Sequence, residues 1–364
     1  MVVQKYEELA FSKTVGPKVV ELGLCAGCGA CVAFCPYNVL EYVEDHPEEV
    51  DECLMCGNCS NVCPRYEFNW DSIENFAFGR TRTSEEEFGV KRKIVIAKSK
   101  DEEILRVCQD GGVVSSLLIS ALEEGLIDGA ILSGVSEGKP FYPIPKIAMS
   151  REEIVACAGS RYTYTTNMID LVGAAEILGA LGFKGFAFVG LPCQIQASRK
   201  IQMLPHPSIS WWAKSIKFNI GLFCTETFTY EGLIEEAIHK GLGIKPEEIA
   251  KMNIKAKIII TTKSGETKII PLEEARKYMR NGCKACSDFS AEAADISIGS
   301  VGLEGWNLVI IRSEAGEELF NNAVKAGKLE TRPIEEEEQA LKILLKLTRA
   351  KKRRAEKFMK QLST

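Results

Sequence analysis

The chain has 364 residues, enough for two or three domains with a sizeable buried core, and 46% hydrophobic against 26% charged residues excludes a fibrous or disordered polypeptide. No apolar run reaches the roughly 18–20 residues of a membrane-spanning helix, so no direct membrane span is expected. The formal net charge of −5 excludes an overall basic nucleic-acid binder. The opening MVVQKYEELAFSKTVG lacks the charged, apolar, small-residue order of a secretion signal. A cytoplasmic protein is therefore expected, with any membrane link peripheral and running through other subunits. Fourteen cysteines are unusual in a reducing compartment unless a metal holds the thiolates.

The head, residues 1–79, carries 13 acidic against 4 basic residues, whereas residues 332–364 carry 10 basic against 5 acidic. An acidic head on a near-neutral body suits a redox protein that docks by charge complementarity. Within the head, CAGCGACVAFCP (25–36) and CLMCGNCSNVCP (53–64) write the same C-x2-C-x2-C-x3-C-P run twice. Three thiolates at this spacing reach three corners of one iron–sulfur cube, while the fourth, followed by proline, ligates the other cube. The spacing thus assigns Cys25, Cys28, Cys31 and Cys63 to one 4Fe-4S cluster, and Cys53, Cys56, Cys59 and Cys35 to a second. Zinc also accepts four thiolates, but its sites generally use two C-x2-C pairs rather than an unbroken run of four.

After a linker-like NFAFGRTRTSEEEFG (75–89), the body spans 80–331. KIVIAKSK (93–100) reads as a buried strand, and 113–134 as a helix, a turn at Asp128-Gly129 and a strand. Residues 168–182 read as an apolar helix, 186–193 as a strand entering a Gly-Pro turn, 216–224 as a strand ending on cysteine, and 230–244 as a helix. Residues 249–272 alternate as a hairpin around 263–266. Strands alternating with helices give an α+β (mixed α/β) body behind a two-cluster, bacterial-ferredoxin-like head. No G-x-G-x-x-G follows a strand, which argues against a standard Rossmann nucleotide site.

Six cysteines lie beyond the head. Cys108 and Cys157 sit in apolar frames and read as core residues. Cys193, Cys224 and the C-x2-C pair Cys283 and Cys286 fall at strand ends and loops. Spacing alone leaves a third cubane on these four open, because only one pair is local.

The strings QDGGVVSSLLISALEEGLIDGAIL, AGSRYTY, FVGLPCQIQA, NIGLFC, CKACSD and ADISIGSVGLEGWNLVIIR follow in this order behind the head. Together they resemble the beta-subunit family of coenzyme F420-reducing hydrogenase. That family includes the F420H2 dehydrogenase input subunit and the beta subunit of F420-dependent formate dehydrogenase. The resemblance spans roughly residues 20–330. It implies a body that binds FAD, holds its own 4Fe-4S cluster on Cys193, Cys224, Cys283 and Cys286, and moves hydride between coenzyme F420 and the flavin. A deazaflavin carries its electrons as hydride and a cube passes one at a time, so flavin would split the pair.

Carried over residue by residue, the resemblance implies that Gln109, Gly111, Gly112, Ser115 and Ser116 form a glycine-opened helix start for the FAD diphosphate. The local sequence alone equally reads there as a glycine-rich loop with a serine cap. Gly159, Ser160, Arg161, Tyr162 and Thr163 resemble a second FAD segment, with Arg161 available to phosphate or to an anionic flavin. Gly190 and Pro192, beside Cys193, would bring backbone and cluster to the isoalloxazine, and Gly299 and Gly302, flanking Ser300, a loop closing over it. Lys255, Lys257, Arg276 and Arg280 are candidates for the acidic F420 tail.

The C-terminal stretch 332–364 reads as one long helix, acidic first and basic last in keeping with the macrodipole. Leu341, Leu344, Leu345 and Phe358 are expected to pack on the body or a partner, and the RAKKRR run reads as a solvated end or a dock for an acidic partner. The implied partners are subunits of a hydrogenase, formate dehydrogenase, F420H2 dehydrogenase or heterodisulfide reductase, or a ferredoxin. Two other readings compete: a cluster relay without flavin, and a ferredoxin-dependent reductase of the same family acting on another substrate.

Overall fold

In the computed structural model, residues 9–169, 179, 182, 183, 185–204 and 214–362 are described. The helix expected over 168–182 lies for the most part outside them. The head is built twice over from the same short unit. Gly29 and Gly57 each take φ of +77° and open short helices, α1 (Ala30–Ala33) and α2 (Asn58–Val62). A left-handed residue lets each loop turn back around its thiols, and glycine adopts it without strain. Strands β1 (Leu40–Val43) and β2 (His46–Glu49) form a hairpin closed by Glu44 and Asp45, both at positive φ. Helix α3 (Trp70–Phe78) starts where the Asn69 side chain accepts from the Ser72 amide and stops at left-handed Gly79.

The stretch read as a linker is held at both ends. Its first four residues finish α3, and the loop beyond is pinned by its own charges. Arg80 grips Glu86 through two hydrogen bonds of 2.7 Å, and Arg82 reaches the buried carboxylates of Glu74 and Glu292. A polar run with little apolar periodicity reads as a linker, because sequence does not show that Arg80 and Arg82 fold back on Glu86 and Glu74 or that Glu292 meets them.

The body is an eight-stranded sheet in the order β13-β3-β12-β11-β7-β6-β4-β5. Its strands are β3 (Lys93–Ser99), β4 (Gly129–Val135), β5 (Pro143–Ala148), β6 (Phe186–Gly190), β7 (Ile216–Leu222), β11 (Ile296–Gly299), β12 (Asn307–Ile311) and β13 (Leu329–Pro333). The central β4, β6, β7 and β11 are parallel. Phe186–Gly190 and Asn307–Ile311 are buried throughout, as strands covered on both faces must be. Pro143 and Pro145 lie on edge strand β5, where a missing amide donor is tolerated. Helices α4 (Glu102–Val107), α5 (Val113–Glu123), α6 (Arg151–Ala156) and α8 (Glu314–Lys325) cover one face. The other face receives α7 (Pro192–Met203), the head, and the front of α9 (Glu338–Leu362).

A separate small core joins a π-helical segment, Glu231–Lys240, to the antiparallel sheet β8 (Ile249–Ile254), β9 (Lys257–Thr262) and β10 (Thr267–Pro271). The expected turn at 263–266 joins β9 to β10, and β8 adds a third strand. Strand β6 ends at Gly190, and Pro192 opens α7 rather than sitting in a turn; its missing N–H suits the first helical position. Among the described residues no helix is long and apolar enough to cross a membrane.

Candidate functional site

Ligands of such sheets collect at the carboxyl ends of the parallel strands. There β6 leads to Cys193, β7 to Cys224 and β11 to Gly299, Ser300 and Gly302, while β3 leads through α4 to Gln109, Gly111 and Gly112. Topology alone therefore brings most of the expected residues to one edge.

The thiols fall into three groups, read from which charges act on which. Burial first, and then the charge of Cys63, push Cys28 up; Cys31 answers to burial, Cys28, Cys63 and Cys25. The second group is Cys35, Cys53, Cys56 and Cys59: burial and then Cys53 raise Cys59 to about 12, and burial raises Cys56, with Cys35 and Cys53 adding to it. A small open hollow is lined by Cys35, Cys53, Cys56 and Cys59 together with Tyr37 and Leu54. In the body, burial and then Cys286 raise Cys193 to about 11, and Cys224 is pushed up by burial, with Cys283, Cys286 and Cys193 adding to it. Among the described residues no group of three or more His, Cys, Asp or Glu side chains is arranged to hold a single metal ion.

The groups follow one another. Cys31 feels Cys59 of the second group, and Cys28 feels Cys193 of the body. The joint between head and body is tight: any side chain on Gly282 would strike the Cys25 carbonyl. Arg280, 6% exposed, donates to the Tyr42 hydroxyl at 3.2 Å and the Asp45 carbonyl at 2.9 Å, and stacks 4.1 Å from the Tyr164 ring centre.

Whether iron–sulfur cubes fit these places is answered by orphaned donors. Arg65 Nε, Arg280 Nη1 and Arg354 Nε are buried with no hydrogen-bond partner among the described residues. Arg280 acts on the Cys25 thiol, and Arg65 on Cys286, Cys193 and Cys283; Arg354 donates to the Cys283 carbonyl at 3.3 Å. Buried cationic donors without acceptors are costly, and an anionic cube beside each would satisfy them.

At the glycine-rich helix start the groups are already engaged. Gly111 packs so closely that a Cβ would lie 2.8 Å from the Asn307 amide nitrogen. The Val113 amide donates to Asn307 Oδ1 at 3.3 Å, and Ser116 Oγ to Ser99 Oγ at 2.7 Å; Ser115 is buried. Gln109 accepts from the Ser160 amide at 3.2 Å, which joins the first expected FAD segment to the second. Ser300 donates to Asp110, so the third segment meets the first as well. Burial raises Asp110, with Ser300, Lys251 and Lys255 working against it.

Other expected residues take different surroundings. Arg161 donates to the carbonyls of Cys157 and Gly159 at 2.9 Å and of Ala158 at 3.1 Å, so its guanidinium closes the C-terminus of α6. Tyr162 holds φ of +61°, and buried Thr163 pairs in a bridge with Phe228. Gly190 and Pro192 lie beside Gln194, which accepts from the Leu191 amide at 2.8 Å. Gly299 packs on Phe223 and Gly302 under Ile343 of α9. Lys255 and Lys257 are exposed, whereas Arg276 pairs with Glu226 at 3.0 Å and Arg280 is locked in the head joint. Sequence reading passed over Arg65, Arg354 and Lys351, whose Nζ donates to the Cys224 carbonyl at 2.6 Å.

A ferredoxin-like head that runs through its cysteines into the ligand edge of a mixed sheet defines an iron–sulfur oxidoreductase subunit. Residues 94–172 match the N-terminal family model of the coenzyme F420 hydrogenase/dehydrogenase beta subunit, residues 183–337 match its C-terminal counterpart, and residues 18–69 match a 4Fe-4S dicluster domain. The chain is 40% identical over 272 residues to the coenzyme F420 hydrogenase beta subunit of Methanothermobacter thermautotrophicus, covering 74% of this chain and 94% of that one. It is 32% identical to an F(420)H(2) dehydrogenase subunit of Methanosarcina mazei, covering 84% of each. A chain of the F420-reducing [NiFe] hydrogenase complex from Methanosarcina barkeri superposes with a TM-score of 0.71 at 36% identity, over 77% of this chain and 95% of that one. The protein belongs to the coenzyme F420 hydrogenase/dehydrogenase beta-subunit family, whose members are F420-linked oxidoreductase subunits.

Proposed function

We propose that this chain transfers hydride between coenzyme F420 and FAD and passes single electrons through three 4Fe-4S clusters to or from a redox partner. One observation carries the reading: three cysteine groups follow one another from the sheet edge to the surface, joined through Cys193 with Cys28 and through Cys31 with Cys59. When bound, the flavin supplies the conversion between a two-electron hydride carrier and one-electron clusters. The chain's own residues order the path. Gln109, Ser160, Asp110 and Ser300 tie three loops into one edge, and exposed Lys251 and Lys255 give it positive charge toward an anionic cofactor. Gly190 and Pro192 carry Cys193 to the same edge.

At the far end Cys56 is exposed, beside exposed Tyr37, Val50 and Leu54 and the acidic Glu49, Asp51 and Glu52. An apolar patch with an acidic rim suits transient docking of a partner with a basic rim: a subunit of a hydrogenase, formate dehydrogenase, F420H2 dehydrogenase or heterodisulfide reductase, or a ferredoxin.

The cluster relay without flavin also has one observation in its favour. At the helix start of α5 the Val113 amide and Ser116 hydroxyl already have protein partners. Anaerobic purification, iron counting and flavin release on denaturation separate the two. FAD together with viologen-linked oxidation of reduced F420 is the expected result. About twelve irons without flavin, even after reconstitution, leaves only the relay.

A further inference from the structure

The basic run of the C-terminal helix lies beyond the matched family models, which stop at residue 337. It is an internal clamp. Arg349 pairs with Glu87 at 2.6 Å, Lys352 donates to the Glu87 carbonyl, and Arg354 pairs with buried Glu226 and donates to the Thr225 carbonyl at 2.6 Å. Lys351 differs from these. It is 4% exposed, on the inward stripe Ala340, Leu344, Thr348, Lys351 and Ala355, and among the described residues its Nζ meets only the Cys224 carbonyl as a hydrogen-bond acceptor.

From the opposite side comes Arg65, two residues past Cys63. Its guanidinium lies near enough to Cys286, Cys193 and Cys283 for their charges to act on it, and among the described residues its buried Nε has no hydrogen-bond partner. Head and tail therefore each deliver one cation to the same four body cysteines. The acid facing the group, Asp288, is occupied elsewhere: its carboxylate accepts from Gln196 Nε2 at 2.9 Å and from the Glu292 amide at 3.1 Å. An ammonium buried against a carbonyl and thiols is unfavourable unless an anion completes the site. A cube bound by four thiolates is such an anion, and it becomes more negative when it takes up an electron.

Resting on the reading that Cys193, Cys224, Cys283 and Cys286 hold a cluster, we infer that Lys351 and Arg65 are its positioning residues, two cations that hold its reduction potential above the value the cysteines alone would set. The electron added on reduction places its charge on the cluster, where Nζ of Lys351 and the guanidinium of Arg65 stabilise it.

The test uses the full-length protein, loaded with iron and sulfide anaerobically and taken through a mediated redox titration read by EPR. Wild type binds about twelve irons on this reading; a count near eight refutes the third cluster itself, before any variant is compared. In Lys351→Met, one of the three signals is expected to show a roughly tenfold lower reduced-to-oxidised ratio at its wild-type midpoint, about 59 mV for a one-electron couple. Arg65→Gln moves the same signal in the same direction, Lys351→Arg restores it, and Lys342→Met, exposed on the same helix, leaves it unchanged. Unmoved midpoints in both neutral variants at full iron content overturn the inference. If Lys351→Met loses the body cluster, Lys351→Arg decides. Retained iron and native potential there support a charge requirement; loss there too shows that packing alone matters, and the inference fails.

Discussion

Gly282 of the body sits so close to Cys25 of the head that a Cβ would overlap the Cys25 carbonyl carbon and oxygen. Backbone on one side and backbone on the other leave nothing that can rotate away. Gly282→Val is therefore expected to destabilise the protein by about 1–3 kcal/mol in urea unfolding and to lower iron retention. Gly138→Ala, which faces open space, is expected to stay within about 0.5 kcal/mol of wild type. Equal stability of the two variants would contradict a rigid joint.

The proposed crossing of ligands between the two cysteine runs makes a separate prediction. Cys63 acts on Cys25, Cys28 and Cys31, while Cys35 acts on Cys56. Cys63→Ala should remove about four irons and the same EPR signal as Cys25→Ala, and Cys35→Ala the signal shared with Cys53→Ala. The opposite assignment would show that each run closes its own cube.

Arg82 bridges two carboxylates that are almost sealed from water, with side-chain exposures of 0% for Glu74 and 1% for Glu292. Arg82→Met removes the guanidinium from both buried carboxylates, leaving Glu292 with Lys352 at 3.9 Å and Glu74 with the residue 82 amide, and a loss of about 3 kcal/mol in denaturant unfolding is expected. Adding Glu292→Gln should recover part of that loss. If the double variant is no better than the single, the cost arises from the Arg82 stem and its stacking 4.6 Å from the Trp70 ring centre.

Glu86 gives the acid limb of stability a local origin. The Arg80 guanidinium, with help from the Thr83 amide, holds its carboxyl at about 2. A carboxyl depressed on folding contributes fully above the usual glutamate range near 4.3, and that contribution fades as pH falls toward the folded value. Melting temperatures of wild type and Glu86→Gln should differ at pH 6 and converge toward pH 2. A gap independent of pH would assign the effect to packing.

Much of this protein was legible in the cysteine spacing and in the apolar runs. Strands β3, β4 and β6 fall where four to seven consecutive apolar or small residues lie between turn signals, because a strand covered on both faces has little freedom of composition. The stretch 75–89 reads as a linker because its charges show no partner in sequence, whereas Arg80 and Arg82 find Glu86, Glu74 and, 210 positions on, Glu292. The tail was misread for a related reason. Lys351 stands on the 340, 344, 348, 355 stripe, so its periodicity announced burial, but a lysine within RAKKRR reads as solvated until the thiols it faces are known.

Short-range chemistry is written in the chain: thiols two residues apart can share one cube, glycine takes the left-handed turn before each short head helix, and proline opens α7. Those constraints act within a few bonds, so local sequence determined the head, the element types and the family. The meeting of Cys193, Cys224, Cys283 and Cys286, with Arg65 from one end of the molecule and Lys351 from the other, was decided by the folded chain alone. Burial and charge act through space, and residues nearly three hundred positions apart become neighbours only when the sheet edge, the head and the last helix pack on one another.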